Sequence, residues 1–324
     1  SQTATCRNGV IILKKIRGDR KEAGLNRIRN EHTYLAIKEL HEETKFSICS
    51  LCKIGHVSRA AYYKWLNHKE SDNDKLNQKL AERLEELHKQ HPDMGYRRLN
   101  DKLYHDDKID VNDKRILRIC RKKQIKSTLK HRYDGCTRPS RNPGFIAENV
   151  LNRDFHADNP NEKWVTDVTE FKYGTSFDDI HKLYLSVILD LCDRRPVAYV
   201  LGDSNNNQLV FDTFDQAVTL NPDAKPIFHS DRGYQYTSRA FHHKLEQAGM
   251  TQSMSRVAHC TDNGPMEGFW GILKREMYYK KKFHSREELV SAIVEYIDYY
   301  RNDRPQRGLG ILTPMEYHDM LMAA

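Results

Sequence analysis

Three carboxylates carry the chemistry that this sequence offers. Asp167 lies in WVTDVTEF, Asp231 in IFHSDRGYQY and Glu267 in NGPMEGFWGILK. Oxygen ligands of this kind suit magnesium, a hard cation that takes an octahedron of oxygens and keeps several waters. Two such ions roughly 4 Å apart activate a water or a 3′-hydroxyl and stabilise the leaving oxygen of a phosphodiester. No nucleophilic Ser or Cys is required. By residue type alone each acid also has an ordinary explanation, as a strand-end residue, a turn residue and a first-turn helix acid favoured by the dipole. Asp190 and Asp193, in LDLCDRRP, stand on equal terms by composition and read as hairpin-end residues.

The elements that must position these acids are legible. KWVTDVTEFKY (163–173), KLYLSVILD (182–190) and PVAYVLG (196–202) are rich in β-branched and aromatic residues and predict strands. A helix near 207–219, a short strand KPIFH (225–229), a helix near 238–248 and a short strand TQSMS (251–255) follow. A final helical stretch begins near Pro265. Three strands, then alternating helix and strand, describe a mixed α/β sheet layered with helices. Asp167 falls within the first strand and Asp231 directly after the fourth. Glu267 falls in the first turn of a helix whose apolar face is Met266, Phe269, Trp270, Leu273 and Met277. Asn263 or Asp262 is the expected cap of that helix, and Pro265 suits its first turn. Glu267 is one position off the stripe, and Lys274 is two turns along, about 10 Å away at 1.5 Å per residue.

The front half reads as helix after helix. Thr33–Glu43, Ser47–Ile54 ended by Gly55, and Ser58–Asn67 capped by Ser58 form a helix-turn-helix pattern. Its last helix carries Arg59, Tyr62, Tyr63 and Lys64, types suited to phosphate and base-edge contacts. Asp72–Gln90 shows Leu76, Leu80, Leu84 and Leu87 on one face, a stripe that reads as packing on its own domain or as a dimer seam. GYRRLNDKLYHD (95–106) leads to NDKRILRICRKKQIK (112–126), capped by Asn112. Residues 114–132 hold nine Lys/Arg, and each phosphate such a helix neutralises releases condensed counterions. TRPSRNPGFIAENVLNRDFHADNPNEK (137–163), with three prolines and no period, reads as a linker.

Charge follows this division. Residues 1–160 carry 34 Lys/Arg against 22 Asp/Glu, or +12, and residues 161–324 carry 19 against 23, or −4. A polyanion-binding module attached to a second domain accounts for this, as does a merely solvated charged surface. With 324 residues, 38% hydrophobic and 30% charged, the chain is long enough for two or three cores. No apolar run approaches the roughly 18 residues of a membrane span. The start, with Ser1 in place of Met, shows no signal pattern and reads as processing or a cloned fragment. Seven scattered cysteines fit a reduced, cytoplasmic protein.

Taken together, HSDRGYQYTS (229–238) and SMSRVAHCTDNGPMEGFWGILKRE (253–276) resemble the catalytic core of insertion-sequence transposases of the OrfA/OrfB type, specifically the second-reading-frame product of the insertion-sequence-three family. That family belongs to the retroviral-integrase-like superfamily of DDE enzymes. Thirty-five residues separate Asp231 from Glu267, the spacing for which the superfamily is named, and Lys274 matches the basic residue seven after the glutamate. HVSRAAYYKW (56–65), HPDMGYRRL (91–99) and EYIDYYRNDRPQRGLGILTPMEYH (295–318) extend the resemblance over residues 33–318.

The resemblance implies an α/β ribonuclease-H-like catalytic domain, with a mixed five-stranded sheet and helices, preceded by all-α helix-turn-helix DNA-binding domains. The expected layout is a poorly matched segment 1–32, a helix-turn-helix 33–70, a second helical DNA-binding domain 71–136, a linker 137–160, the catalytic core 161–285 and a C-terminal helical segment 286–324. It implies Asp167, Asp231 and Glu267 as catalytic metal ligands for two Mg2+ ions, with Mn2+ able to substitute. The expected DNA contacts are Arg59, Tyr63, Lys64, Arg97, Arg98, Arg115, Arg118, Arg121, Lys122, Lys274 and Arg275. The implied reaction is 3′-end cleavage and strand transfer at terminal inverted repeats. The implied partners are double-stranded DNA, as transposon ends and target, and further copies of the chain assembled on it, with no membrane involved. A nuclease that does not join, and a domesticated DNA-binding protein with a dead core, are the alternatives.

Two departures from the family pattern stand out: Val257-Ala258-His259 replaces basic and Gly-Asn residues, and Trp270 stands where Phe is common. Neither is expected to touch a proposed ligand. The first reading frame's helix-turn-helix and zipper are expected to be missing or truncated. CSLC (49–52) with His56, or with His88 and His91, has its ligands in the wrong order for the integrase-type zinc module, and buried helix cysteines are the expectation. Tyr296, Tyr299 and Tyr300 read as packing residues or base-stacking ones. His229 reads as a phosphate contact or as a satisfied strand-end histidine.

Overall fold

The computed structural model describes residues 31–67, 71–129, 145–176, 179–256, 260–279 and 281–323, the side chains of His32 and Cys260 apart. Residues 1–30, residues 137–144 of the expected linker, Lys130 and Arg132 of the basic segment, Cys6, Cys136 and Val257–His259 lie outside the described residues. The chain divides into two compact units, Ser1–Asn100 with Asp110–Thr128, and Asp101–Ile109 with Leu129–Ala324.

In the first unit, α1 (Glu31–Thr44), α2 (Ile48–Ile54) and α3 (Arg59–Leu66) enclose a core of Tyr34, Ile37, Leu40, Leu51, Cys52 and Tyr62. The Ser58 hydroxyl caps α3 by accepting from the Ala61 amide at 3.1 Å. A capping box of Ser71 and Asp74 opens α4 (Asp72–Gln90), which packs on α6 (Asp113–Lys122). Leu80, Leu84 and Leu87 of the leucine stripe are buried there with Ile116, Ile119 and Cys120, so the stripe serves the core of its own unit. Asn112 caps α6, accepting from Lys114 at 2.8 Å. The helix ends at Lys122, four residues before the expected end. Gln124 enters the left-handed region at φ 57° and the Ile125 amide returns to the Cys120 carbonyl at 2.9 Å, a closure that stops the ladder. In sequence α5 (Tyr96–Asp107) lies between α4 and α6, its residues to Asn100 counted with the first unit and those from Asp101 with the second.

The second unit is built on β1 (Lys163–Tyr173), β2 (His181–Asp190), β3 (Pro196–Gly202), β4 (Ile227–Ser230) and β5 (Thr251–Met254), in the order β3-β2-β1-β4-β5. β1 to β3 form an antiparallel meander, and β4 and β5 join parallel to β1. The two-residue period sends Trp164 to a core shared with α7 (Asn207–Leu220) and α8 (Arg239–Gln247), including Phe214, Phe228 and Phe241. Val165 and Phe171 face the other way, into a core with α9 (Gly264–Leu273) and α10 (Arg286–Asn302). The sheet is thus sandwiched between helices. A π-helical turn, Lys274–Tyr278, prolongs α9, and α11 (Pro314–Met322) opens on a capping box of Thr313 and Glu316. Among the described residues no helix is long and apolar enough to cross a membrane.

Candidate active site

The strand register places the first two carboxylates. β1 and β4 run parallel with Val165 opposite His229, and two residues further along each chain stand Asp167 and Asp231. Asp167 lies midway along β1, and Asp231 directly follows the last residue of β4, the strand beside it. Each is half-buried. Asp167 is pushed up to about 7, by loss of hydration first and by the Asp231 charge second, while Trp270 and the Lys274 charge pull the other way. Asp231 is raised as well, chiefly by burial, against a bond from the Gly233 amide to Oδ1 at 2.8 Å. Two like charges held together out of bulk water raise each other's proton affinity, and a bound cation relieves the same repulsion. Gly233 permits the tight turn: a Cβ there would stand 3.0 Å from both Asp231 Oδ1 and Gln235 Oε1.

α9 brings the remaining groups. Its entry is locked by Asp262, whose buried carboxylate accepts from Arg153 Nε at 2.6 Å, Arg256 Nε at 2.8 Å, Arg256 Nη2 at 2.9 Å and Asn149 Nδ2 at 3.0 Å. The Arg256 bonds, foremost, hold it far below the usual carboxylate range. Asn263 donates across to the Thr166 carbonyl at 3.1 Å. Neither residue caps α9 through its side chain, contrary to the sequence expectation, because both side chains are engaged in tying the helix to its surroundings. Glu267 is exposed in the first turn. One turn later, the Trp270 indole nitrogen donates to Asp167 Oδ2 at 2.9 Å. Lys274 sits over the Phe171 ring at 5.4 Å, where the π-helical turn begins. That turn is pinned by the buried pair of Glu276 and Arg304, at 2.9 Å, with Tyr296 donating to Glu276 at 3.0 Å.

Comparison with known proteins agrees with this architecture. Residues 157–260 and 267–322 match two integrase core domain families, and residues 75–133 match an HTH-like domain. The putative transposase InsK for insertion sequence element IS150 of Escherichia coli is 36% identical over 286 residues, 87% of this chain and 98% of that protein. This chain belongs to the insertion-sequence transposases. It is a DDE polynucleotidyl transferase with an integrase-like ribonuclease-H fold and an N-terminal helix-turn-helix-like region. An uncharacterized transposase-like protein of Haemophilus influenzae is 43% identical over 64% of this chain and 94% of its own length. The HTLV-2 integrase catalytic core domain, solved in complex with magnesium, is 20% identical over 49% of this chain and 97% of that one, with a TM-score of 0.38.

Within this transposase, Asp167 and Asp231 come together, while Glu267 stands on the adjoining helix. Among the described residues no three His, Cys, Asp or Glu side chains are gathered closely enough to hold a metal ion between them. Trp270, which sequence alone leaves clear of every proposed ligand, bonds directly to Asp167, and this corrects the expectation. His229 is fully buried between Ser253 Oγ at 2.8 Å and Ser255 Oγ at 3.1 Å, and burial lowers it to about 4. It is a satisfied strand-end residue. Tyr296 and Tyr300 belong to the core. Cys52 is buried but Cys49 is exposed, against the expectation of two buried cysteines.

The residues expected at DNA sort by what already holds them. Arg59, Tyr63 and Lys64 are exposed on α3, as are Arg118 and Arg121 on α6 and Arg97 on α5. Arg115 is engaged inside its unit, donating to Asn77 Oδ1 at 2.8 Å and to the Asn73 carbonyl at 3.3 Å. Arg98 is paired with Asp93 at 3.0 Å. Lys122 and Lys274 are half-buried, and half-buried Arg275 donates to the Gly271 carbonyl at 2.7 Å. Sequence reasoning missed Trp270 and the Asp262–Arg153–Arg256 lock. Nothing local marks the Trp270–Asp167 and Arg153–Asp262 bonds, whose partners lie 103 and 109 residues apart.

Proposed function

We propose that this transposase binds the terminal inverted repeats of an insertion sequence, cleaves their 3′ ends and joins them to target DNA, with Asp167, Asp231 and Glu267 as the ligands of two magnesium ions. Manganese substitutes for magnesium in this reading. The observation that carries it is the Asp167–Asp231 pair. It combines two hard oxygen donors of like charge, set by the parallel register of β1 and β4 in the middle of the sheet, with proton affinities raised chiefly by burial. This donor set fits magnesium, which proteins hold through one or two carboxylates together with substrate phosphates.

When bound, magnesium supplies Lewis-acid polarisation of the phosphodiester and acidifies the attacking hydroxyl. The chain does the rest. Asp167, within β1, and Asp231, directly after β4, would hold the cations on backbone that the sheet fixes. The Gly233 amide and the Trp270 indole each fix one of these carboxylates. Glu267 completes the set from the exposed first turn of α9. Lys274, poised beside Asp167, takes a phosphate of the transposon end. The exposed cations of α3 and α6 hold the DNA backbone, and copies of the chain assemble on the DNA in the bacterial cytoplasm.

The test is strand cleavage and joining on duplexes carrying the element's own termini, with Mg2+ or Mn2+. Asp231→Asn and Glu267→Gln must each abolish both steps while leaving binding to the same duplex intact. Full activity in either variant overturns the assignment.

A further inference from the structure

Trp270 occupies an unusual position for so large an apolar side chain. It is 7% exposed, packed in the core beside Phe269 with ring centroids 5.1 Å apart, and yet its single polar atom reaches a carboxylate that the proposed function makes a metal ligand. An indole is a donor only, so this bond to Oδ2 favours the ionised carboxylate, as does the Val168 amide that also donates to Asp167. The ring has only two side-chain torsions, and its packing leaves the N–H little freedom to turn elsewhere. Trp270 also follows Glu267 by three residues, which puts the two on neighbouring positions of one helical face. This hydrogen bond, together with that of Asn263 to the Thr166 carbonyl, joins the strand that carries the first acid to the helix that carries the third.

We propose that Trp270 is a positioning residue for the metal centre: its N–H fixes the orientation of Asp167, leaves that carboxylate's remaining lone pairs for a divalent cation, and holds the Glu267-bearing helix in register with β1. The inference rests on the reading of Asp167 and Asp231 as metal ligands. The same contact makes the indole a built-in reporter of metal occupancy, since a cation on Asp167 withdraws electron density from the oxygen that the N–H binds.

The experiment uses the full chain and the metal alone. Mn2+ affinity is measured by calorimetry and electron spin resonance for the wild type, Trp270→Phe, Asp167→Asn and Asp231→Asn. Loss of a group that orients a metal ligand weakens metal binding by about 10- to 100-fold, and this is the expectation for Trp270→Phe at a melting temperature near the wild type's. In parallel, Mg2+ titration into 15N-labelled wild-type protein must shift the Trp270 indole resonance, assigned by its absence from Trp270→Phe or, should that variant not fold, from Trp270→Tyr. In cleavage assays the Mg2+ requirement must rise in the variant while KM for DNA stays unchanged. Wild-type Mn2+ affinity in Trp270→Phe, or an indole resonance indifferent to Mg2+, overturns the proposal. Metal binding undiminished in both Asp167→Asn and Asp231→Asn would instead sink the underlying reading of the site.

Discussion

Two pairs of aspartates stand on the same sheet and look alike in sequence: Asp167 with Asp231, and Asp190 with Asp193. In both, burial and a neighbouring acid raise a proton affinity, Asp190 being pushed up to about 6. Their surroundings differ. Asp190 and Asp193 are fully buried and surrounded by donors. Asp190 accepts from the Asn161 amide at 2.6 Å, the Cys192 amide at 2.8 Å and the Trp164 indole at 3.2 Å. Asp193 accepts from the Arg195 amide at 2.8 Å and from His318 Nδ1 at 2.7 Å, a bond between residues 125 apart that ties α11 to the β2–β3 turn. Asp167 accepts from the Trp270 indole and the Val168 amide and Asp231 from the Gly233 amide; both lie only half-buried, and the Asp231 charge acts on Asp167. Carboxylates whose lone pairs are used within the protein hold a fold together. A half-buried pair with fewer donors has lone pairs to offer, which is what the proposed metal site requires.

The sharpest way to break this contrast is by activity. Asp231→Asn is expected to lower strand cleavage by about a thousand-fold or more, the several kcal/mol that metal-held charge stabilisation supplies. Its circular dichroism and melting should remain those of a folded protein. Asp193→Ala should do the reverse. Removing one member of a buried pair costs roughly 3–5 kcal/mol, a fall in melting temperature of roughly 10 °C for a domain of this size, measured by calorimetry. A stable Asp193→Ala that is catalytically dead would invert the comparison.

The pH dependence sharpens it further. Asp167 has a folded-state pKa raised from its ordinary 3.8 to about 7, so its contribution to stability is present below the unfolded value and is lost as pH rises through that window. Metal-free Asp167→Asn is therefore expected to be more stable than the wild type at pH 8, on the order of 1 kcal/mol, with the difference vanishing near pH 4. Added Mg2+ should stabilise the wild type and not the variant. Asp190→Asn should show no such gain, because its amide would turn a donor toward the Asn161, Cys192 and Trp164 donors. Thermal melts from pH 4 to 8 distinguish the two pairs.

The smallest expected effect carries the same distinction over to the cations of α6. Replacing exposed Arg118 or Arg121 with Ala should reduce the slope of log K against log salt by about 0.9 for each DNA phosphate that the side chain had neutralised. Arg115→Ala should leave the slope unchanged and lower stability instead, since its guanidinium is engaged with Asn77 and Asn73. Filter binding across a salt series measures the slope.

Much of the fold was legible for local reasons. The strand at 163–173 and the helix at 72–90 have the expected bounds, because alternation and a leucine stripe are written in consecutive residues. The Ser58 and Asn112 caps follow from a short polar side chain beside free amides. The errors arise where a distant partner competes. Asp262 and Asn263 are good capping types, but Arg153, Arg256 and the Thr166 carbonyl claim them first. Trp270 looked like one more member of an apolar stripe, and only its one polar atom departs from that role.

By itself the sequence determined the order and kind of the elements, the charge difference between the halves, and which acids had the right type and spacing. These depend on periodicity and composition, which short stretches of chain carry. Tertiary structure decided which acids meet. It set Asp167 beside Asp231 through the register of two strands more than sixty residues apart, surrounded Asp190 and Asp193 with donors, and brought an indole to Asp167 from 103 residues away. The reason is that a carboxylate's role depends on the donors and charges within a few ångströms of it, and those are supplied by folding rather than by neighbours in the chain.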